Sequence, residues 1–271
     1  MANITGLLAA KRARFGAEIR EQGNVFKGAE KSKFYATVET HAWLEKALDM
    51  MGFGESAINR VATDDNLRMD IDALQKSIQC DLEQGFLPLA VIASAGTVST
   101  GAIDPLEEIA EICKQHNIWF HIDGAYGAVS ACVPSTSDEL AGIGLADSVA
   151  MDAHKWLFVP FEAGCVLLRN RLHLTDTFAH ETTYYPTTGG PNALPIAYRD
   201  QGVQTSRGFR ALKVWMCLKR AGKDGYAQMI GNNIRQAKRL YEKVQQHPEL
   251  EAVSQGLSIT TFRYHPAEIH D

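Results

Sequence analysis

Apolar positions follow two rhythms along this chain. Leu87–Ser94, Ile118–Ile122 and Asp147–Met151 hold short, nearly continuous apolar runs. That is the form of strands buried on both faces of a parallel sheet. Between such runs the period changes. Asp70–Gln84 and Leu106–His116 repeat apolar residues at helical spacing. Shorter segments extend the pattern. Lys33–Val38 and Asn59–Ala62 read as strands, and a helix is expected from His41 to Met51 with Trp43, Leu44, Ala47 and Leu48 on its apolar side. Met1–Arg20 reads as an amphipathic helix bearing Lys11, Arg12, Arg14 and Arg20. Ala163–Arg169 reads as an antiparallel edge strand, and Pro134–Gly142 as loop with a short helix. Asp104 is placed to cap the helix whose first turn would hold Pro105. After a long polar stretch, Thr175–Asp200, a helix begins near Ser206. A break at Gly222–Gly225 separates it from a second helix, Tyr226–Gln246, and Leu257–Tyr264 closes the pattern as a strand. Strands alternating with helices predict an α/β protein, with a mostly parallel sheet and helices on both faces.

Composition narrows the class without naming it. The chain has 271 residues, 45% hydrophobic and 22% charged, ordinary for globular protein. A net charge of −5 gives no reason to expect nucleic acid or an anionic membrane as partner. Five scattered cysteines without a C-x-x-C pair suggest reduced thiols in the cytosol and argue against a zinc site. No apolar run is long enough to span a bilayer.

Chemistry concentrates at two strand ends. The run Ser148–Met151 stops at Asp152-Ala153-His154-Lys155-Trp156, and Ile118–Ile122 stops at Asp123-Gly124-Ala125-Tyr126-Gly127. In open α/β sheets ligands bind outside the carboxyl ends of the strands. A lysine partly withdrawn from water there is a nucleophile toward carbonyls. A carboxylate beside a pyridine nitrogen keeps that nitrogen protonated. Together, such a lysine and acid are what a protein contributes to pyridoxal phosphate chemistry. Gly96 and Gly101 mark a third strand-end loop, Ala95–Pro105, with turns close to a ligand.

His-Ile-Asp-Gly-Ala-Tyr-Gly at 121–127, followed by Asp-Ala-His-Lys-Trp at 152–156, resembles the pyridoxal-phosphate-dependent group II amino acid decarboxylases, over nearly the whole chain. The stretch Ser206–Trp215 resembles the same family, with Gly208 in place of an arginine. The resemblance implies the large domain of pyridoxal phosphate fold type I, the aspartate aminotransferase-like fold. It implies a cofactor-binding domain over 1–222, without its first phosphate-binding turn, and the start of a small α/β domain over 223–271. On this reading the chain is truncated at both ends. The resemblance implies Lys155 as the Schiff-base lysine, Asp123 on the ring nitrogen, and Ala125 close under the ring. It places His41 flat against the ring and His154 on the phosphate. The ring contact of the Ala95–Pro105 loop falls on Val98, with Thr97 beside it, and Asp152 stands where relatives carry Asn. Tyr184, or its neighbour Tyr185, would protonate the carbon left by loss of CO2 across a homodimer interface, with His41 as the other candidate donor. The implied activity is decarboxylation of an L-amino acid to an amine, in the cytoplasm, with no metal. Two alternatives stay open: another fold type I enzyme, either a carbon–carbon lyase or an aldehyde-forming relative, and a non-catalytic remnant.

Overall fold

The computed structural model describes residues 1–180 and 197–266. Helix α1 (Ala2–Phe15) and the short α2 (Ile19–Gln22) lead into β1 (Ser32–Thr37), α3 (Trp43–Met50), β2 (Ile58–Val61), α4 (Ile71–Glu83) and β3 (Leu87–Ser94). Then come α5 (Leu106–His116), β4 (Trp119–Asp123), β5 (Ser148–Asp152), β6 (Gly164–Leu168) and α6 (Leu172–Phe178). The long α7 (Arg210–Gln245) and the hairpin of β7 (Leu250–Gly256) and β8 (Ile259–Tyr264) follow. The main sheet runs β2-β1-β3-β4-β5-β6. Its pairs are parallel except β5–β6, which is antiparallel and forms one edge.

The central strand shows why the apolar runs are continuous. On β3, Val91 and Ala93 join a core with Leu74 and Ile78 of α4 and Leu106 and Ile109 of α5. Ala90 and Ile92 join a second core with Leu7 of α1 and Leu44 and Leu48 of α3. Each face of the strand is covered, so neither alternate set of side chains can be polar. Complete burial of one such aliphatic side chain contributes about 1.5–3 kcal/mol.

Two local expectations are corrected. The helix expected from His41 begins at Trp43, because the His41 Nδ1 accepts the Trp43 backbone N–H at 3.1 Å and so acts as a cap outside the helix. Asp104 does not cap α5; Pro105 holds that position. The Asp104 side chain turns inward, accepting the N–H of Met69 at 2.7 Å and of Ser94 at 2.6 Å. The buried carboxylate thus ties the backbone of Met69 to the end of β3. The expected break at Gly222–Gly225 is found at Gly222 (φ 65, ψ 175), whose non-helical backbone divides α7 into two helical segments. Past the break, Tyr226 and Ile230 enter the larger core, and the Tyr226 hydroxyl donates to the Leu157 carbonyl.

Helix α1 is more buried than an amphipathic surface helix. Gly6 allows this: a Cβ there would lie 3.0 Å from the His121 ring. Where α1 ends, Arg12 and Arg20 donate to the carbonyls of Asp176, Thr177 and Ala179, satisfying the C-terminal end of α6.

Candidate active site

Parallel register brings three strand ends level. Ser94 pairs with Asp123, and Asp123 with Ala150, across β3, β4 and β5. Above them opens a cleft of about 210 Å3. Its walls include Asn3 from the start of α1, His41 and Trp43 from the entry to α3, Thr97 and Val98 after β3, Asp123, Ala125 and Tyr126 after β4, and Asp152 and Lys155 after β5.

Asp123 forms the floor. Its side chain is almost wholly withdrawn from water, with the residue 8% exposed. One oxygen, Oδ1, accepts the Ala125 backbone N–H at 3.1 Å, and Oδ2 accepts the Trp43 indole N–H at 2.5 Å. Beneath it lies a buried polar chain. Trp119 Nε1–H donates to the Ser148 hydroxyl at 2.8 Å, and that hydroxyl lies 2.7 Å from His121 Nδ1. His121 Nε2 is 3.1 Å from Asn3 Oδ1. Because Asn3 Oδ1 only accepts, Nε2 must hold the ring proton, and Ser148 donates to Nδ1. Burial pushes the His121 imidazole down to about 3, so it stays neutral at physiological pH.

Lys155 stands at the rim. Its side chain is 42% exposed, and its Nζ lies 3.1 Å from Asp152 Oδ2. The partial withdrawal from water expected for this lysine is therefore modest, and an ion pair accompanies it. His154 does not reach the cleft wall. Its Nδ1 accepts the Ala163 backbone N–H at 2.9 Å, its Nε2 lies 3.7 Å from Asp152 Oδ2, and its ring packs edge-on against Phe161. Thr97 is buried, its hydroxyl shared with Thr100 at 2.8 Å and accepting the Ala102 N–H, whereas Val98 is 60% exposed. His41, Asp123, Ala125, Thr97, Val98, Asp152 and Lys155 thus meet around one cleft. Tyr184 and Tyr185 lie outside the described residues. Among the described residues, no group of three or more His, Cys, Asp or Glu side chains could hold a metal ion.

Three contributors escaped the sequence reading. Trp43 was placed on the apolar side of its helix, yet its N–H holds Asp123. Asn3, near the start of α1, closes the His121 chain with its side chain. Tyr126 stacks on Trp156 (centroids 4.5 Å apart, 17° between planes) and takes part in the wall. Gly96, at φ 95, brings the loop so close that a Cβ would lie 2.9 Å from Leu257 and 3.0 Å from Tyr126. That close approach is the turn near a ligand that Gly96 marks in the sequence.

The residues present fit pyridoxal phosphate. A buried carboxylate with a free lone pair on each oxygen lines the same cleft as a primary amine. The first residues of a 14-residue helix, a favourable place for phosphate, complete the wall. Comparison with known proteins agrees. The family model described as "Pyridoxal-dependent decarboxylase conserved domain" matches residues 1–265. An aromatic-L-amino-acid decarboxylase of Bacillus atrophaeus is 37% identical over 270 residues, covering 99% of this chain and 54% of the relative. A phenylacetaldehyde synthase of Arabidopsis thaliana is 32% identical over 88% of this chain and 49% of its own length. Among solved structures, Oryza sativa TDC with PLP and tryptamine superposes with a TM-score of 0.88 at 26% identity, covering 97% of this chain and 54% of that one. The chain spans about half the length of the curated relatives it matches.

Proposed function

The chain belongs to the pyridoxal-dependent decarboxylase family, and from that premise we propose that it decarboxylates an L-amino acid to an amine with pyridoxal phosphate. The observation that carries the reading is the convergence of Asp123 and Lys155 on one cleft from neighbouring strand ends. Lys155 would hold the cofactor covalently, Asp123 its ring nitrogen and His41 its face. What pyridoxal phosphate supplies when bound is an electron sink for the bond that releases CO2.

The remaining chemistry belongs to the chain. Asp123, nearly buried, keeps a proton on the heterocycle and meets it without reorganising water. Lys155 must part from Asp152 before its amine is free to react. The His41 proton is on Nε2, because Nδ1 accepts from Trp43, so Nε2–H is the donor this side chain can offer. Tyr184, or His41, delivers a proton to the substrate carbon. Thr97, Val98, Ala125, His154 and Asp152 complete the proposed cofactor environment. His154 acts there from behind Asp152.

The same proposal extends to organisation. The kink at Gly222 supports a division into a cofactor-binding domain, 1–222, and a smaller one from 223. Exposed Phe161, Phe209 and Trp215 support assembly as a homodimer. Cys80, Cys113, Cys132, Cys165 and Cys217 are all free thiols, which supports a reducing, cytoplasmic setting. Among the described residues, no helix is long and apolar enough to cross a membrane.

The test is spectroscopic, then chemical. Protein mixed with pyridoxal phosphate should gain a visible absorbance band that borohydride abolishes, and Lys155→Ala should gain none. A folded, colourless wild type refutes the reading and leaves a non-catalytic role. Likeness to an aldehyde-forming relative makes product identity the second measurement. Amine supports decarboxylation, whereas aldehyde with ammonia supports the aldehyde-forming alternative.

A further inference from the structure

Trp43 occupies a place in the site that its position on an apolar helix face conceals. Its indole N–H reaches Asp123 Oδ2 at 2.5 Å, while its backbone N–H reaches His41 Nδ1 at 3.1 Å. The indole also meets the His121 ring edge-on, with centroids 5.8 Å apart and planes at 73°. One residue therefore touches the acid on the cleft floor, the imidazole on its wall and the buried chain beneath.

Resting on the cofactor reading above, we propose that Trp43 is a positioning residue that fixes Asp123 and His41 before the cofactor enters. A carboxylate rotates easily about its last torsion, which has broad wells. Asp123 is denied that freedom because each oxygen accepts one N–H, from Ala125 and from Trp43. The two donors set the carboxylate plane and leave one lone pair per oxygen for a ring N–H. The edge contact with His121 holds the indole in turn. His121 is itself locked between Ser148 and Asn3. The same residue's backbone sets the His41 tautomer, so the two groups are aligned together and not separately.

Trp43→Phe removes the indole N–H and keeps an aromatic ring against His121. The expected result is a rise of about tenfold in the Kd for pyridoxal phosphate, the size of one lost charge-assisted hydrogen bond. With cofactor labelled by ¹⁵N in the ring, the ring nitrogen resonance should move toward the unprotonated position in Trp43→Phe and further in Asp123→Asn. In the Asp123→Ala background, Trp43→Phe should change the Kd less than about twofold, because the indole then has no acceptor at that position. A purely structural role would move neither the ¹⁵N resonance nor the coupling. An unchanged Kd and resonance in Trp43→Phe overturns the proposal, as does a tenfold effect that persists in the double variant. If wild type binds no cofactor, the proposed function fails by itself. In that case, or if Trp43→Phe does not fold, the indole N–H proton resonance of Trp43 decides. It should lie downfield in wild type and move upfield in Asp123→Ala, and no movement overturns the proposal.

Discussion

Replacing His121 by glutamine should change how the fold responds to acid more than it changes the fold itself. His121 is fully buried, and burial holds its imidazole at about 3 against an ordinary 6.5. The unfolded chain therefore binds a proton between these values that the folded chain refuses. The stability tied to His121 is intact above about pH 6.5 and is lost as pH falls toward 3. Within that window each pH unit is worth about 1.4 kcal/mol, so moving from pH 8 to 4.5 removes about 2.7 kcal/mol through this group alone. Carboxylates and other histidines contribute their own slopes, but those are shared by both proteins. Urea denaturation of wild type and His121→Gln at pH 8, 6.5, 5.5 and 4.5 isolates the difference. At pH 8 the variant should be less stable by about 1–3 kcal/mol, since Ser148 or Asn3 loses a partner. By pH 4.5 that gap should close or reverse. Curves that stay parallel across the whole range would refute the assignment of His121 as a buried neutral group.

Two further substitutions probe the rim and the helix approach. Asp152→Asn removes a negative charge 3.1 Å from Lys155 at a cleft expected to take an anionic phosphate. Stability should change by less than about 1 kcal/mol, because the pair is partly open to solvent on the Lys155 side, while the Kd for pyridoxal phosphate falls several-fold; weaker binding would show that Asp152 supports the cofactor. Gly6→Val puts a branched side chain where a Cβ already lies 3.0 Å from His121 and 3.1 Å from the Ser148 hydroxyl. Thermal unfolding should report a loss of about 2 kcal/mol or more, and an unchanged midpoint would mean that α1 shifts freely.

Much of this architecture is legible because its central strands are covered on both faces. Leu87–Ser94 reads as a strand from its apolar run, and Asp123 and Asp152 mark the ends of two of its neighbours in the sheet. Asp123 and Lys155 stand out for the same reason, as polar residues where an apolar run stops. What stays hidden depends on direction. Asp104 sits before a helix like a cap, yet the amides of Met69 and Ser94 draw it inward. Trp43 has the spacing of a core residue, and spacing does not say where an indole N–H points. His121 reads as one more member of a buried strand, and its partners Asn3 and Ser148 lie far from it in the sequence.

These differences divide the cleft into a fixed floor and an adjustable rim. Asp123 and its supports Trp43, Ala125 and His121 are held by buried hydrogen bonds on strands and a helix start. A site on such elements keeps its geometry without reorganisation when a charged ring arrives, which is where electrostatic stabilisation gains most. Lys155 and Val98 stand at the water-facing edge, and the lysine's ion pair with the half-buried Asp152 is partly open to solvent. Weak partners suit a group that must move. The amine has to leave Asp152 to react, and a partly exposed pair of this kind resists by less than about 1 kcal/mol. A buried Lys155–Asp152 pair would hold the amine in place at several times that cost. The gradient of burial from Asp123 to Lys155 therefore matches a division of work: the acid stays still while the amine is released.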